Sequence, residues 1–343
     1  MAKPRGLFDE QIRLEKLSRK QDPLEKLSGH IDFEYFRNTL EKALIKEEEK
    51  SKGGRPAYDV VLMFKILILQ RYYNVSDDAM EYAILDRLSF MRFLGLGIND
   101  PVPDSKTIWL FRDTLRKLNL VEQLFSTLDK QLDKDGIIVH KGKIIDASIV
   151  EVPKQRNNRQ EIDQLKEGTK PENWNENKIK QKDTDAQWTR KHFQNYFGYK
   201  NHIKVDSETK LITDFRVTPA NISDNHMADL LLDKKEDGGQ PLYGDSAYST
   251  KELYECYKKK NIISKVIRQG YRYKALTKAE KKANRKNSRI RGRIEHVFGF
   301  MTNSMNAMFL KYRSLVRNAA GIAMMNLTYN LFRLVQLNKK LAR

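Results

Sequence analysis

The sequence predicts an α/β protein: a mixed five-stranded sheet flanked by helices, preceded by an all-helical N-terminal domain. Three observations predict it. From about Pro23 to Asp135 apolar residues recur at helical spacing with caps between the runs; beyond Asp135 short runs rich in β-branched residues take over. These runs then alternate with helical stretches in the order three antiparallel strands, helix, strand, helix, strand, helix, which is the pattern of a layered α/β domain.

In chain order, Gly53, Gly54, Arg55 and Pro56 break the charged run Glu47–Lys52, and Val60, Leu62, Met63, Ile66 and Leu67 then form a broad apolar helix. Ser76 followed by Asp77 and Asp78 starts a second helix with carboxylates at the positive end of its dipole, and the apolar run from Met80 to Phe93 follows. A third begins after Pro103, capped by Asp104 or Ser105. Its apolar stripe is Ile108, Phe111, Leu115 and Leu118, which leaves Lys106, Arg112, Arg116 and Lys117 on other faces. That helix is either a DNA-recognition helix or a helix with a solvated basic face.

Gly136–Val139 and Lys143–Val152 are β-rich, with a polar turn around His140 to Gly142 between them. Tyr199–Val205 and Leu211–Val217, joined by the turn Asp206 to Lys210, predict an antiparallel hairpin. A helix over Asp224–Asp233, a short strand Leu242–Gly244, a helix over Ser249–Lys260, a strand Ile262–Ile267, a long helix from Ser288 to about Met308 and a terminal helix Asn318–Leu337 complete the order.

The length of 343 residues favours two domains. The expected boundaries are a charged N-terminal arm over 1–22, a helical DNA-binding domain over 23–135 and the α/β domain over 136–343. The α/β domain carries a polar insertion at about 154–195, too hydrophilic to fold alone and either disordered or ordered by DNA.

Apolar residues at 40% and charged residues at 32% describe a globular chain. Lys plus Arg (64) exceed Asp plus Glu (45), a formal charge of +19 that attracts polyanions, nucleic acid foremost. A membrane surface is the rival reading of the charge, but residues 59–70 are too short to span a bilayer and contain Lys65, and the terminal helix contains Arg333. The first twenty residues alternate charges without the apolar core of a secretory signal, and the single cysteine, Cys256, fits a reducing compartment. The expected location is cytoplasmic, on the nucleoid.

Three acidic residues stand out. Asp146 interrupts the apolar strand Ile144–Val150, which suits a metal ligand or an Asp on the solvent face. Asp245 ends a short strand, where ligands gather in α/β sheets, or caps the following helix. Glu295 shares a helix face with Arg291, four residues before it, beside apolar Ile294, Val297 and Phe298; a plain salt bridge is the alternative. Brought together, three carboxylates would raise one another's pKa, a conflict that divalent metal resolves. Hard oxygen ligands of this kind suit magnesium, and manganese equally.

With these residues in hand, the chain resembles the DDE transposases of bacterial insertion sequences, specifically the IS-five family, whose catalytic domain is ribonuclease H-like. The resemblance runs from Gly53-Gly-Arg-Pro56, Tyr73–Met80, Pro103–Ile108 and Phe111–Leu115 through Ile145-Asp-Ala-Ser148, Phe197–His202, Asp206, Thr218–Asn221 with Asp224, and Gly244–Tyr248, to Arg291-Gly-Arg-Ile-Glu295. It implies that Asp146, Asp245 and Glu295 are the catalytic, metal-binding triad, holding two Mg2+ per site with Mn2+ as a substitute, and that Asp146 bridges the two. The family's signature of Tyr, Arg, Glu and Lys is met here only at Arg291 and Glu295; Ser288 and Thr302 stand at the other two positions, with Lys311, Arg313 and Arg317 as substitutes for phosphate contact.

The resemblance further implies hydrolysis at the element ends, transfer of the freed 3′-hydroxyls to target DNA, DNA as partner (terminal inverted repeats and target), no membrane, and a homodimer on DNA. Phosphate or DNA contacts are expected from Arg291, Arg289, Arg293, Lys200, His202, Arg112, Arg116, Lys106 and Arg55. Two other readings share the sequence: a metal-dependent DNA nuclease without strand transfer, and a transposon-derived DNA-binding regulator.

Overall fold

The computed structural model describes residues 8–44, 57–270 and 275–341. Gly53, Gly54, Arg55 and Pro56, and the charged run before them, lie outside the described residues. The chain divides into two compact units, one of Met1–Ser126 with Leu327–Arg343 and one of Thr127–Asn326.

The first unit is helical: α1 (Asp9–Arg19), α2 (Pro23–His30), a short 3-10 turn Phe33–Phe36, α3 (Arg37–Leu44), α4 (Val60–Tyr73), α5 (Asp77–Asp86), α6 (Leu88–Leu94) and α7 (Ser105–Lys117), with α8 (Leu120–Lys134) leading out of it. Side-chain caps set the starts. Asp22 accepts from Leu24 N with Pro23 in the first turn, Asp59 from Val61 N and Leu62 N, Ser76 from Ala79 N and Asp104 from Thr107 N. α4 is the central helix: Val61, Met63, Phe64, Ile66, Leu67, Ile68 and Leu69 are all buried, the behaviour of a helix apolar on most sides. Its Phe64 packs tilted or edge-on against Phe33 and Phe36, and Phe33 in turn edge-on against Phe93.

The sequence suggested one helix through Met80–Phe93; the structure breaks it at Arg87, which is extended (φ −108°, ψ 111°). The break re-aims the second half so that Phe90, Met91, Phe93 and Leu94 are buried, while the Arg87 guanidinium lies over the Phe90 ring at 5.0 Å. The charged N-terminal stretch contains α1, held by Arg92 through Ser18 Oγ at 2.8 Å.

The second unit is built on a six-stranded sheet: β1 (Lys143–Glu151), then α9 (Arg159–Lys166), α10 (Glu176–Gln181), β2 (Gln187–Lys191), β3 (Gln194–Asp206), β4 (Ile212–Pro219), α11 (Ala228–Leu231), α12 (Lys234–Asp237), β5 (Pro241–Tyr243), α13 (Lys251–Lys259), β6 (Ile263–Ser264), α14 (Lys278–Arg291), α15 (Glu295–Gly299) and the first half of α16 (Leu315–Gln336), whose residues from Leu327 on belong to the first unit. β1 and β4 flank β3 antiparallel, whereas β5 runs parallel to β1 and β6 parallel to β5. This is the mixed sheet the sequence predicts, with one more strand than expected.

The extra strand is β2, which lies inside the polar insertion and pairs with the N-terminal end of β3. The insertion is ordered by buried acids rather than by an apolar core. Glu161 accepts from Trp174 Nε1 at 2.6 Å and Lys178 Nζ at 2.9 Å, and Asp183 accepts from Tyr199 Oη at 2.7 Å and from the amides of Asp185 and Ala186.

Two further expectations change. Gly136–Val139 is not a strand: Gly136 (φ +66°) ends α8, and the Ile137 and Ile138 amides turn back to Leu132 O. The long helix expected over Ser288–Met308 is broken, because α14 starts earlier, at a Thr277–Glu280 capping box, and a 3-10 turn Gly292–Ile294 and a π turn Phe300–Ser304 flank α15. Among the described residues no helix is long and apolar enough to cross a membrane.

Candidate active site

Asp146 lies at the middle of β1, opposite Ile203 of β3. On the other side β1 and β5 pair Lys143 with Leu242 and Ile144 with Tyr243; carrying that parallel register two residues on sets Asp245 beside Asp146, on the same face. The pairing needs a close approach at Gly244, whose missing Cβ would stand 3.0 Å from the Tyr248 ring and 3.4 Å from Ile145. β5 therefore ends flush against its neighbour and Asp245 emerges at its carboxyl end.

Asp245 commits one oxygen to the turn it caps, accepting from Ala247 N at 2.9 Å. Asp146 accepts from Ala147 N at 2.8 Å with one oxygen and from Arg291 at 3.2 Å with the other. The second nitrogen of the same guanidinium faces Glu295 at 3.4 Å. Asp146 is largely buried, with 15% of its side chain exposed, whereas Glu295, at the start of α15, is 61% exposed. Arg291 thus spans a buried and an open carboxylate.

Burial first, then the negative charges of Asp245 and Glu295, push the Asp146 carboxyl up to about 6, against the opposing effects of the Ala147 amide and Arg291. The three acids therefore lie within one another's field. Such a site has an excess of negative charge that Arg291 offsets only in part. Among the described residues no three His, Cys, Asp or Glu side chains are set, as they stand, to hold a metal ion. The donor set nevertheless fits a hard divalent cation: every donor is a carboxylate oxygen, and the buried member takes up a proton more readily than a free Asp because of burial and like charge, both of which a cation would offset.

The other residues expected to meet DNA divide into accessible and engaged groups. Arg289 and Lys106 are exposed. α14, which leads into Arg291, has no buried residue and carries Lys278, Lys281, Lys282, Arg285, Lys286 and Arg289 with the single acid Glu280. Arg293 is half-buried and bound to Ser207 O and Glu208, each at 2.8 Å. Lys200 is held by Ile222 O and Asp224, each at 2.7 Å.

His202 is fully buried, donating or accepting at Thr218 Oγ1, so it offers no surface to a phosphate; burial, opposed by Asp224, holds its ring down at about 4. In the helical unit Arg112 is tied to Asp77 and Gln70, and Arg116 to Asp113. Arg55 lies outside the described residues.

Sequence reasoning overlooked the β2–β3 hairpin, whose tip carries Arg190, Lys191, His192 and Phe193, all exposed. The signal was present: two alternating runs with two residues between them. It was masked by the polar composition on either side.

Residues 12–114 match a family described as Transposase domain (DUF772), and residues 139–331 match the family described as Transposase DDE domain. A solved structure of a piggyBac transposase synaptic complex with hairpin DNA is similar at 11% sequence identity, covering 94% of this chain and 77% of that one with a TM-score of 0.43, a likeness too distant to carry an argument. The Transposase DDE domain match spans more than half of the chain and contains Asp146, Asp245 and Glu295 alike: the protein belongs to that family and is a DDE transposase.

Proposed function

We propose that this transposase is of the IS-five kind, that Asp146, Asp245 and Glu295 are its catalytic triad, and that it acts on the terminal inverted repeats of its own insertion sequence. The observation that carries the reading is that Arg291 joins Asp146 to Glu295, while the β1–β5 register, continued two residues past the end of β5, brings Asp245 beside Asp146.

The three carboxylates are the residues that hold divalent ions, two per site, magnesium or manganese. When bound, these supply Lewis acidity at the phosphodiester, activating the attacking oxygen and offsetting charge on the leaving one. Water hydrolyses one phosphodiester at each element end, and the freed 3′-hydroxyl then attacks target DNA. Arg291, released from Asp146, holds a phosphate oxygen or orients Glu295. α14, exposed and basic along the length that leads to Arg291, supplies salt-dependent backbone binding, Arg289 included.

The domain over 23–135 reads the repeat, with Lys106 as an exposed contact, and the domain over 136–343 performs the chemistry. Two ends processed together call for a homodimer on DNA, at the nucleoid.

The test is cleavage and joining of labelled DNA bearing the element's ends, in magnesium or manganese, by the parent protein and by Asp146→Asn, Asp245→Asn and Glu295→Gln. Loss of both reactions in all three with DNA binding retained supports the triad. Undiminished activity in any one removes that residue. Cleavage without joined products would favour a nuclease, and binding without either reaction in the parent protein a regulator.

A further inference from the structure

The β2–β3 hairpin ends in a feature that the chemistry of the three acids does not use. β3 continues past the point where β1 meets it, so that Gln194, Asn195 and Tyr196 pair with β2 alone and form a two-stranded ribbon with Thr189, Arg190 and Lys191. At its tip Phe193 is 92% exposed, the highest value for a large apolar side chain among the described residues. Arg190 lies 5.7 Å from the centre of its ring, and Arg190 through Asn195 are all exposed.

The turn itself is unusual. His192 (φ +49°) and Phe193 (φ +63°) both occupy the left-handed region, which a two-residue hairpin normally fills with Asn-Gly because a Cβ is disfavoured there. The chain accepts backbone strain in order to place an imidazole and a phenyl ring at the tip. Charge is also one-sided. The exposed stretch Arg190–Asn195 carries Arg190 and Lys191 and no Asp or Glu.

We propose that this ribbon is a DNA-engaging finger, in which Phe193 stacks on an unpaired base at a DNA end while Arg190, Lys191 and His192 meet the flanking phosphates. The proposal rests on the reading that this transposase works at DNA ends. An aromatic side chain beside cations is the combination that binds single-stranded nucleic acid, since every base offers a π-face and every nucleotide a negative charge. A protein partner would require more apolar surface than one ring surrounded by Gln194, Asn195, Lys191 and His192. A membrane surface would require an apolar face longer than a turn.

The test is binding by the full chain in EDTA, where no strand is cut. Two labelled probes are compared, a blunt duplex and the same duplex with mismatched, frayed ends carrying 2-aminopurine. The parent protein is expected to prefer the frayed probe by roughly 5- to 100-fold, the range that stacking of one base supports, with a change in 2-aminopurine emission. Phe193→Ala is expected to abolish the preference and the emission change while blunt-duplex affinity stays within about two-fold; Phe193→Trp is expected to keep both. Arg190→Ala and Lys191→Ala are expected to weaken both probes alike and to lower the salt slope by about 0.9 each.

The double variant His192→Asn, Phe193→Gly gives the turn its preferred residues, so loss of the preference in a protein at least as stable as the parent assigns the effect to the side chains. An unchanged preference in Phe193→Ala overturns the proposal. So does a Phe193→Ala effect confined to self-association in sedimentation or to binding of anionic vesicles. Because no cleavage is read, this outcome is independent of whether the three acids are catalytic.

Discussion

The guanidinium of Arg291 donates to Asp146 at 3.2 Å, joining residues 145 positions apart, and reaches Glu295, one helical turn further along its own chain, at 3.4 Å. One side chain thereby ties α14 and α15 to β1. It also opposes the rise that the charge of Glu295 causes at the Asp146 carboxyl.

Arg291→Ala is expected to reduce strand cleavage by roughly 10- to 1,000-fold, the range for loss of one preorganised charge contact at a reacting centre. Arg291→Lys, which keeps the charge but not the fork, is expected to restore only part of it. With Arg291 24% and Asp146 15% exposed, a stability loss of about 1–3 kcal/mol is expected as well, so activity and stability measured on the same preparation separate chemistry from folding.

At Gly198 the β1 backbone leaves no room for a side chain: a Cβ there would stand 2.2 Å from Val150 O and 3.0 Å from Glu151 Cα, both backbone atoms. Gly198→Ala is expected to cost about 2–3 kcal/mol or more, because strand backbones cannot yield as a flexible side chain does. Thermal unfolding checks this, and a parent-like midpoint would mean that the β1–β3 pairing tolerates a shift.

Arg112 was a candidate DNA contact, yet it grips Asp77 with both terminal nitrogens, one of them at 2.8 Å, and donates to Gln70 at 3.0 Å. With both partners less than a quarter exposed, Arg112→Ala and Asp77→Ala are each expected to destabilise the helical unit by about 1–3 kcal/mol. A double-mutant cycle should show the two losses overlapping rather than adding. Reduced DNA preference in Arg112→Ala at parental stability would return this residue to the interface.

Asp129 supplies a pH dependence. Burial first, then Glu236, pushes its carboxyl up to about 7, with Asp133 adding to the rise and Lys143 and Lys204 opposing it. One of its oxygens is buried without a hydrogen-bond partner, as is one of Asp237, which is bound to Lys204 through the other. Since the folded value is raised, the folded state holds the proton more tightly. That contribution is complete below pH of about 4 and is lost as pH rises through about 7. Asp129→Asn is expected to flatten this slope and to be more stable than the parent at pH 8, by at most about 4 kcal/mol. Denaturant midpoints measured across pH 4–8 provide the check, and identical slopes in the two proteins would assign the dependence to other groups.

Much of the fold was legible because local chemistry and tertiary structure agree. Ser76 and Asp104 cap their helices, β1 begins at Lys143, and the turn over Asp206–Lys210 joins β3 to β4. Asp146, Asp245 and Glu295 could be singled out because each is an acid in apolar or strand-end surroundings. Local signals failed where an element depends on distant partners. β2 looks polar in isolation and is a strand only because β3 extends past β1 to receive it, and the insertion is held by Glu161 and Asp183, whose donors lie on other elements.

The sequence by itself determined the order of elements, the basic character of the chain and the acids worth examining, since periodicity, caps and charge are written residue by residue. Only the tertiary structure decided which cations are free. His202, Arg112 and Arg289 are alike as basic residues in a sequence, but His202 is sealed inside the sheet, Arg112 is locked to Asp77 and Arg289 is open to solvent. Burial and ion pairing depend on what the fold brings to each side chain, and those partners lie from 16 to 35 positions away, beyond the reach of any local pattern.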